Sequence, residues 1–436
     1  MATLRREIGL LDATMIVVSG VIGGGIFFTP STVAGYLPQA GWIIAVWVAG
    51  AFIAFAGALT FAELASRYPE AGGHYVYIRE AFGGLWAFLY GWMLLLIIAT
   101  GALASLALAF AGYLSAFVPL SPVQQKLVAV AIIAGLSALN LFGVKPGAKT
   151  TTILTVIKVG AFVSLIVLGL ASANTGVPQE VVLREIPTGS AVAIAFGAAL
   201  VPVLFSYGGW QQVNFLAGEV KSAERRLPIA LALGVAVVAV VYLGANFVYL
   251  RALGPFGMAD SSALASDTAR ALYGQAAARV VTVVIAISIL AFSNVVVMAT
   301  PRVFYALAQD GAFLKSLTEL HPRYHTPAKA ILLQGVWTIV LIVIGEIGLL
   351  VNGVVFADWI FFGLGAASIF AIRRRAAGPA PYEVPGYPIV PAFFVLAAIA
   401  AVASAISQYP KESLVGVAML AGGSVLYFMT RSGRGE

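Results

Sequence analysis

An apolar run near the N-terminus contains the stretch Ser19-Gly20-Val21-Ile22-Gly23-Gly24-Gly25-Ile26-Phe27. Each glycine costs a helix about 1 kcal/mol relative to alanine, so three in a row predict a break inside this run. A later apolar run is interrupted in a similar way by Pro202 and then by Phe205-Ser206-Tyr207-Gly208-Gly209-Trp210. Proline removes a backbone donor, and the two glycines relax the chain just after it. The sequence therefore predicts two helices that are each broken near the middle.

The composition around these runs is that of a membrane protein. Of the 436 residues, 61% are hydrophobic and 10% are charged, whereas a soluble domain carries roughly 25% charged residues. So few charges cannot cover a soluble fold of this size, which excludes a cytosolic enzyme or a secreted globular protein. A spanning helix needs roughly 20 apolar residues. We predict twelve spans, at about 10–35, 40–66, 84–118, 122–143, 150–173, 190–219, 227–250, 277–309, 328–346, 350–372, 386–407 and 412–430.

The basic residues favour an orientation with both termini in the cytoplasm. With twelve spans, the segments on that side hold 18 of the 25 lysines and arginines, the outer segments hold six, and Lys158 lies within a span. Short cytoplasmic loops of membrane proteins carry such an excess of positive charge. The formal charge of +7 is therefore attributed to these loops and not to nucleic-acid binding. We expect a multi-pass protein of the cell membrane.

The two predicted breaks occupy matching places if the first ten spans form two repeats of five helices. The predicted divisions are 1–174 for the first inverted repeat, 175–375 for the second and 376–436 for two additional helices. Paired interruptions in the two halves of a membrane protein are the best sequence pointer to a transporter binding site. The alternative is that the glycines only allow close helix packing, since Gly20 and Gly24 match a small-xxx-small motif.

The broken helices suggest the chemistry of the ligand. The second half of the first span presents free N–H groups and the positive end of its dipole, while the halves that end at each break present free carbonyls. A carboxylate suits the amides of residues 24–26, and an ammonium group suits the carbonyls of Val21, Phe205 and Gly208. A substrate with both groups on one carbon fits this arrangement.

A few charged and polar residues lie within the predicted spans. Lys158 either snorkels to the interface or bridges span five to the break in span one, where its ammonium replaces a coupling cation or carries a proton. Asp358 needs a partner or a proton if it is buried, and the alternative is a helix-packing role. Ser293 and its neighbour Asn294 either line the Lys158 region or only join helices. Two acidic residues near inner helix ends, Glu63 and Glu219, are predicted to pair with basic residues of the inward gate.

At these residues the sequence resembles the amino acid–polyamine–organocation superfamily, near its L-type amino acid transporter branch. The resemblance runs from span one to span eleven, over nearly the whole chain. It rests on residues 21–27 and 205–210, the latter continuing into 218–221, and on Ala62-Glu63-Leu64, Pro69-Glu70-Ala71-Gly72-Gly73, Pro301-Arg302-Val303-Phe304-Tyr305-Ala306 and Tyr382-Glu383-Val384-Pro385-Gly386-Tyr387-Pro388. It implies an all-α fold of twelve transmembrane helices. Five plus five form the inverted repeat of the sodium-coupled leucine transporter, helices 1 and 6 are broken, and two helices are additional.

The resemblance also implies amino acid transport by alternating access and roles for particular residues. Phe205 matches the aromatic gate, and Gln211 matches a polar position beside the substrate side chain. Relatives often have Gly-Ser-Gly where this chain has Gly23-Gly24-Gly25, which puts any side-chain contact at position 24 in doubt. A lysine at position 158 is typical of sodium-independent members. The predicted substrate-binding set is Val21, Gly23, Gly24, Gly25, Ile26, Phe205, Ser206, Gly208, Gln211 and the apolar wall residues Ile97 and Ile98; the coupling and gating set is Lys158, Phe205, Asp358 and Ser293.

We therefore predict a sodium-independent transporter of neutral L-amino acids that works as an exchanger or with protons. The alternatives are a carrier of cationic amino acids or polyamines, for which Asp358 would be the counter-charge, a membrane sensor that binds without transporting, and an ion channel. The sequence contains no Walker A, HExxH or Gly-x-Ser-x-Gly motif, so we expect no enzyme activity, cofactor or metal. It contains no cysteine, which excludes a disulfide-linked subunit but not a non-covalent partner.

Overall fold

The protein is described by a computed structural model that covers residues 4–172, 187–344, 347–376 and 378–432. These residues form helices joined by short loops, and the described ranges contain no β-strand. Their only isolated β-bridge joins Ile8 to Val220 in parallel, which ties the N-terminal segment to the chain that follows the second break.

The chain forms seventeen α-helices within these ranges. Residues Gly84–Leu114 form one span in which a π-helical segment, Leu94–Ile98, joins α5 to α6. The helices are α1 Leu10–Val21, α2 Gly25–Tyr36, α3 Ala40–Arg67, α4 His74–Phe82, α5 Gly84–Met93, α6 Ala99–Leu114, α7 Pro122–Leu141, α8 Val144–Ala171, α9 Ser190–Ser206, α10 Gln212–Phe215, α11 Ala223–Asp260, α12 Leu264–Ala299, α13 Pro301–Gln309, α14 Ala328–Ile344, α15 Ile347–Arg375, α16 Ile389–Gln408 and α17 Pro410–Ser432.

Eight spans in the described part of the chain are long and apolar enough to cross a membrane, and the bent pair α1 and α2 makes a ninth. Two shorter apolar helices, α9 and α14, accompany them. This is the architecture of a polytopic helical membrane protein. The count of twelve spans and the two-repeat arrangement stay predictions, and the predicted boundary at 174/175 lies outside the described residues.

Both predicted helix breaks are confirmed. The first helix ends at Val21 and the next begins at Gly25, with a bend of 41° between them. Helix α9 continues through Pro202 to Ser206, and a turn then leads to the short helix α10. Since the helix passes the proline, the second interruption is set by the glycine pair, of which Gly209 has a φ of 104°.

The two breaks meet at Gly20 and Gly209. A Cβ atom on Gly20 would lie 2.5 Å from the carbonyl oxygen of Gly209, and one on Gly209 would lie 1.7 Å from that of Gly20. Both distances are too short for any side chain, so backbone packs directly on backbone here. The close-packing interpretation is therefore also correct for Gly20. This glycine lies at the contact between the two breaks, whereas residues 22–24 form the first break itself.

The surrounding helices enclose this crossing. Helix α11 packs against α1, α2 and α3, and α8 packs against α1 and α12. Residues 16–22 are almost completely buried, so the first break lies in the interior of the bundle. Its free backbone groups can therefore be matched only by protein groups or by a ligand.

Gly209→Ala is predicted to destabilise the protein. The substitution places a Cβ against the Gly20 carbonyl and forces alanine into a left-handed conformation, which by itself costs about 1–3 kcal/mol. We expect the thermal unfolding midpoint in detergent to fall by several degrees. The matched control is Gly197→Ala, in helix α9, where a Cβ meets nothing within 4 Å. Equal midpoints for the two variants would show that the crossing is not tight.

Candidate functional site

A cavity of about 420 Å³ lies beside the two breaks. Its wall also includes the third span from Tyr90 to Tyr113 and parts of α12 and α15. Predicted site residues on the wall are Val21, Gly23, Gly24, Gly25, Ile98, Phe205, Ser206, Gly208, Gln211 and Asp358. Ile26 and Ile97 are buried and are not among the lining residues, and neither are Lys158 and Ser293. The structure thus brings together residues from distant parts of the chain.

The amides at the start of α2 are free to bind an anion. Within the described part of the chain, the N–H groups of residues 24–26 donate no hydrogen bond, whereas the Gly23 amide donates to the Val21 carbonyl at 2.8 Å. Free N–H groups at a helix N-terminus, with the positive end of the dipole, favour a carboxylate. A Cβ on Gly25 would lie 2.5 Å from the Ser206 hydroxyl oxygen, so only glycine lets the two breaks approach so closely at this position.

The carbonyls predicted for an ammonium group differ in their availability. The Val21 oxygen already accepts from the Gly23 amide and from the Tyr242 hydroxyl, at 3.0 Å, and two bonds use both of its lone pairs. The Phe205 oxygen accepts from the Gly208 amide at 3.1 Å, and the Tyr207 amide also points towards it. The Gly208 oxygen accepts none among the described residues. The second break therefore offers more acceptor capacity than the first.

Lys158 joins helix α8 to the end of helix α1. Its side chain is fully buried, and its ammonium nitrogen lies 2.6 Å from the Ile22 carbonyl oxygen and 3.3 and 3.2 Å from the carbonyl and hydroxyl oxygens of Ser19. The Ser288 hydroxyl donates to the same Ile22 carbonyl at 2.9 Å and lies 2.8 Å from that of Gly23. A positive charge here neutralises the negative end of the α1 dipole. The lysine bridges to the break and does not snorkel to the interface.

Two residues of this network escaped the sequence analysis. Ser288, and not the predicted Ser293, contacts the break, and the Ser293 hydroxyl has no hydrogen bond in the part of the chain that the structure describes. Tyr242 links the two breaks, since its hydroxyl lies 3.0 Å from the Val21 carbonyl and 3.1 Å from that of Ser206. Both are single polar residues in apolar helices, and nothing in the sequence marks them apart from similar ones. Asn294 joins helices, because it donates to Gly147 and Thr151 and accepts from Asn140.

Three cavity residues are placed to meet a substrate side chain or to close over it. Phe205 is 40% exposed and lies on the wall. Gln211 turns its amide oxygen back to accept from the Gly209 N–H at 2.8 Å, which leaves its NH₂ group free to donate. Asp358 lines the cavity and, among the described residues, forms no hydrogen bond or ion pair. Its carboxylate is therefore available to a cationic group or a proton.

Buried ion pairs lie at the end of the bundle where the N-terminal segment packs. Glu219 receives two hydrogen bonds from Arg302, at 2.6 and 2.9 Å, and both side chains are buried. Glu63 pairs in the same manner with Arg67 and Arg373, so both predicted acid–base pairings are confirmed. The amides of residues 7 and 8 donate to the Glu219 carbonyl, which holds the N-terminal segment over this end.

The lining of the third span shows in which direction the cavity extends. The third span begins at Gly84, on the same side of the bundle as the loop that precedes α4. The Gly72 amide of this loop donates to the Phe215 carbonyl at 3.1 Å, which places it beside the chain that follows the second break. The lining residues of this span continue to Tyr113, next to its opposite end. The cavity therefore extends away from the Glu219–Arg302 pair and towards the side opposite the N-terminal segment.

The sequence pattern of the Amino acid permease family matches residues 8–428. The chain belongs to the amino acid permease family. Among individual relatives, this family member is 30% identical over 403 residues to the serine/threonine exchanger SteT of Bacillus subtilis, covering 90% of this chain and 91% of the relative. It is 30% identical to the mouse b(0,+)-type amino acid transporter 1, over 98% of this chain and 88% of the relative. The human large neutral amino acids transporter small subunit 2 is 29% identical, with 98% and 80% covered.

Lys158→Met is predicted to reduce amino acid uptake by this permease at least tenfold. Methionine keeps the apolar stem but leaves the Ile22 and Ser19 oxygens without their cation, and buried acceptors that lose a charged donor are costly. Uptake into proteoliposomes measures the effect. The control is Lys149→Met, on the exposed side of the same helix. Uptake within twofold of wild type for Lys158→Met would contradict a role of the ammonium at the break.

Proposed function

We propose that this membrane protein is a sodium-independent secondary transporter of neutral L-amino acids that works by alternating access, as an exchanger or a proton symporter. The observation that carries the proposal is the cavity between two broken helices, whose wall combines free amides, free carbonyls and a largely apolar surface. Three relatives whose names describe amino acid transport or exchange support it. We place the protein in the cell membrane with both termini in the cytoplasm.

The backbone groups would recognise the part that all amino acids share. The α-carboxylate would accept from the amides of Gly24 and Gly25 on the cavity wall, where the helix dipole adds to the hydrogen bonds, with the predicted third amide, that of Ile26, directly behind them. The α-ammonium would donate to the Gly208 carbonyl, which accepts no bond among the described residues, and to the neighbouring Phe205 carbonyl. Because no side chain takes part, the absence of a hydroxyl at position 24 leaves this recognition intact.

The buried ammonium of Lys158 supports sodium independence. It already supplies a positive charge to the Ser19 and Ile22 carbonyls, so a metal cation at the same oxygens would meet both repulsion and a lack of acceptors. The lysine would act either as a fixed cation or as a proton carrier. A sodium gradient would have no effect on uptake in either case. A proton gradient would drive uptake if the lysine carries a proton.

The ion pairs on one side of the site and the extension of the cavity towards the other support alternating access, with the ion-paired side as the closed end. Opening the closed end requires separation of the buried Glu219–Arg302 pair and of the N-terminal segment from residues 219–221. Closing the other end requires a cover, for which the exposed side chain of Phe205 is suited. A transporter would perform both movements, whereas a sensor would bind without completing them and a channel would not saturate with substrate. The absence of cysteine rules out a disulfide-linked subunit, and a non-covalent partner is left open.

Counterflow in proteoliposomes tests the proposal. Purified protein is reconstituted without sodium, and uptake of labelled L-alanine, L-serine and L-leucine is followed into vesicles that are empty or preloaded with the unlabelled amino acid. An exchanger gives saturable uptake into preloaded vesicles only, and a proton symporter gives uptake into empty vesicles that rises with an inward proton gradient. Saturable binding without uptake would instead indicate a sensor, and a dependence on sodium would refute the role given to Lys158.

A second candidate function is the transport of cationic amino acids or polyamines, which Asp358 favours. Its carboxylate lies on the cavity wall, has no partner among the residues that the structure describes, and could pair with a second positive charge on the substrate. Asp358→Asn separates the two cases. If cationic substrates are accepted, the half-saturation concentration for L-lysine is expected to rise at least tenfold, with that for a neutral amino acid changed less than twofold. If wild-type protein excludes L-lysine, the cationic alternative fails and the carboxylate is left as a candidate proton site.

A further inference from the structure

The third span is not a regular α-helix where it passes the cavity. Residues Leu94–Ile98 form a π-helical segment, and the Ala99 amide donates to the carbonyl of Leu94, five residues back. Such segments insert one extra residue into a helix and are frequent at functional sites. Leu94 and Ile98 face the cavity, whereas Ile97 does not.

The extra residue disturbs the regular pairing of the backbone carbonyls, and buried carbonyls that lose a backbone donor need another one. The Thr100 hydroxyl donates to the Leu95 carbonyl at 2.6 Å, and the Trp337 indole N–H of helix α14 donates to the next carbonyl, that of Leu96, at 3.1 Å. In a regular helix a threonine bonds four residues back, as Thr60 does to Ala56 at 2.7 Å. Thr100 reaches five residues back, which matches the π turn.

The position of the segment decides which face of α6 forms the cavity wall. After the segment, the wall is formed first by a row of mostly small residues and then, at the end of the helix, by a tyrosine: Ala99, Ala102, Ser105, Leu106, Ala109 and Tyr113. One residue of an α-helix corresponds to a rotation of about 100°. If the segment relaxed to a regular helix, α6 would turn by this angle relative to α5, and Ile97 would take the place of Ile98. The row of small residues would then leave the wall.

We propose that Thr100 and Trp337 are positioning residues of the cavity, which hold the π-helical segment so that the small residues of α6 leave room for a bulky substrate side chain. Thr100 is fully buried, and neither residue lines the cavity, so both act through the backbone of the third span. The proposal rests on the proposed function, since it names the feature that sets the size of side chain the transporter accepts.

The test is a competition assay in proteoliposomes that contain wild type, Thr100→Val, Thr100→Ser or Trp337→Phe. Uptake of labelled L-alanine is inhibited by unlabelled L-alanine, L-leucine or L-phenylalanine, and the half-inhibitory concentrations are compared. Thr100→Val and Trp337→Phe should each raise the half-inhibitory concentrations of leucine and phenylalanine about fivefold relative to that of alanine. A factor of this size corresponds to the loss of one hydrogen bond. Their maximal rate with alanine should stay within twofold, and Thr100→Ser should keep the wild-type ratios.

Two matched controls separate this effect from general destabilisation. Thr60→Val removes a buried threonine hydrogen bond from a regular helix, and Trp92→Phe removes an indole bond of the same third span, to the Met419 carbonyl at 3.2 Å, away from the cavity. Both should keep the wild-type ratios. Trp337→Phe provides an independent test if Thr100→Val does not fold.

The outcomes distinguish the two proposals. If wild-type protein takes up no amino acid, the proposed function fails before any variant is compared. If wild type distinguishes small from bulky amino acids and the Thr100→Val and Trp337→Phe ratios equal those of the controls, only the role of the π-helical segment is refuted. If Thr100→Ser loses as much uptake as Thr100→Val, the role of the π-helical segment is also refuted. Serine keeps the hydroxyl, so the missing hydrogen bond would then not be the cause of the loss.

Discussion

The structure depends on how the unpaired backbone at two helix breaks is satisfied, since hydrocarbon offers no hydrogen-bond partners. The protein supplies internal partners for one part of these groups and leaves the other part to the cavity. Lys158, Ser288 and Tyr242 take the carbonyls at the end of α1, while the amides of residues 24–26 have no acceptor within the described ranges. This division limits where a ligand can bind, because only groups that the protein has not used are available to it.

The sequence predicted those features that follow from residue types with a strong local effect. Three consecutive glycines and the glycine pair at 208 and 209 lowered helix stability enough to place both breaks to within a residue or two. A lysine inside an apolar span was costly enough to demand a specific partner, and the Ser19 and Ile22 oxygens provide it. These predictions needed no knowledge of the neighbouring helices.

The features that the sequence did not predict depend on helix rotation and on tertiary contacts. Ser288 and Ser293 lie in the same apolar helix and look equivalent in the sequence, but only the first faces the break. Ile97 was expected on the cavity wall together with Ile98, and the π-helical segment turns only the latter towards it. The free carbonyl expected at Val21 is already used, because Tyr242 approaches from a helix more than 200 residues away along the chain.

The position of Lys158 has a consequence for the energy source of the cycle. A dissolved ion that fills such a place enters on one side of the membrane and leaves on the other, so its concentration difference performs work. A cation that is bonded covalently to the chain returns with the protein and transfers no charge from one compartment to the other. A carrier that keeps this ammonium charged throughout, and has no second ion, obtains no work from an ion gradient, so it can concentrate one solute only at the expense of another that it exchanges.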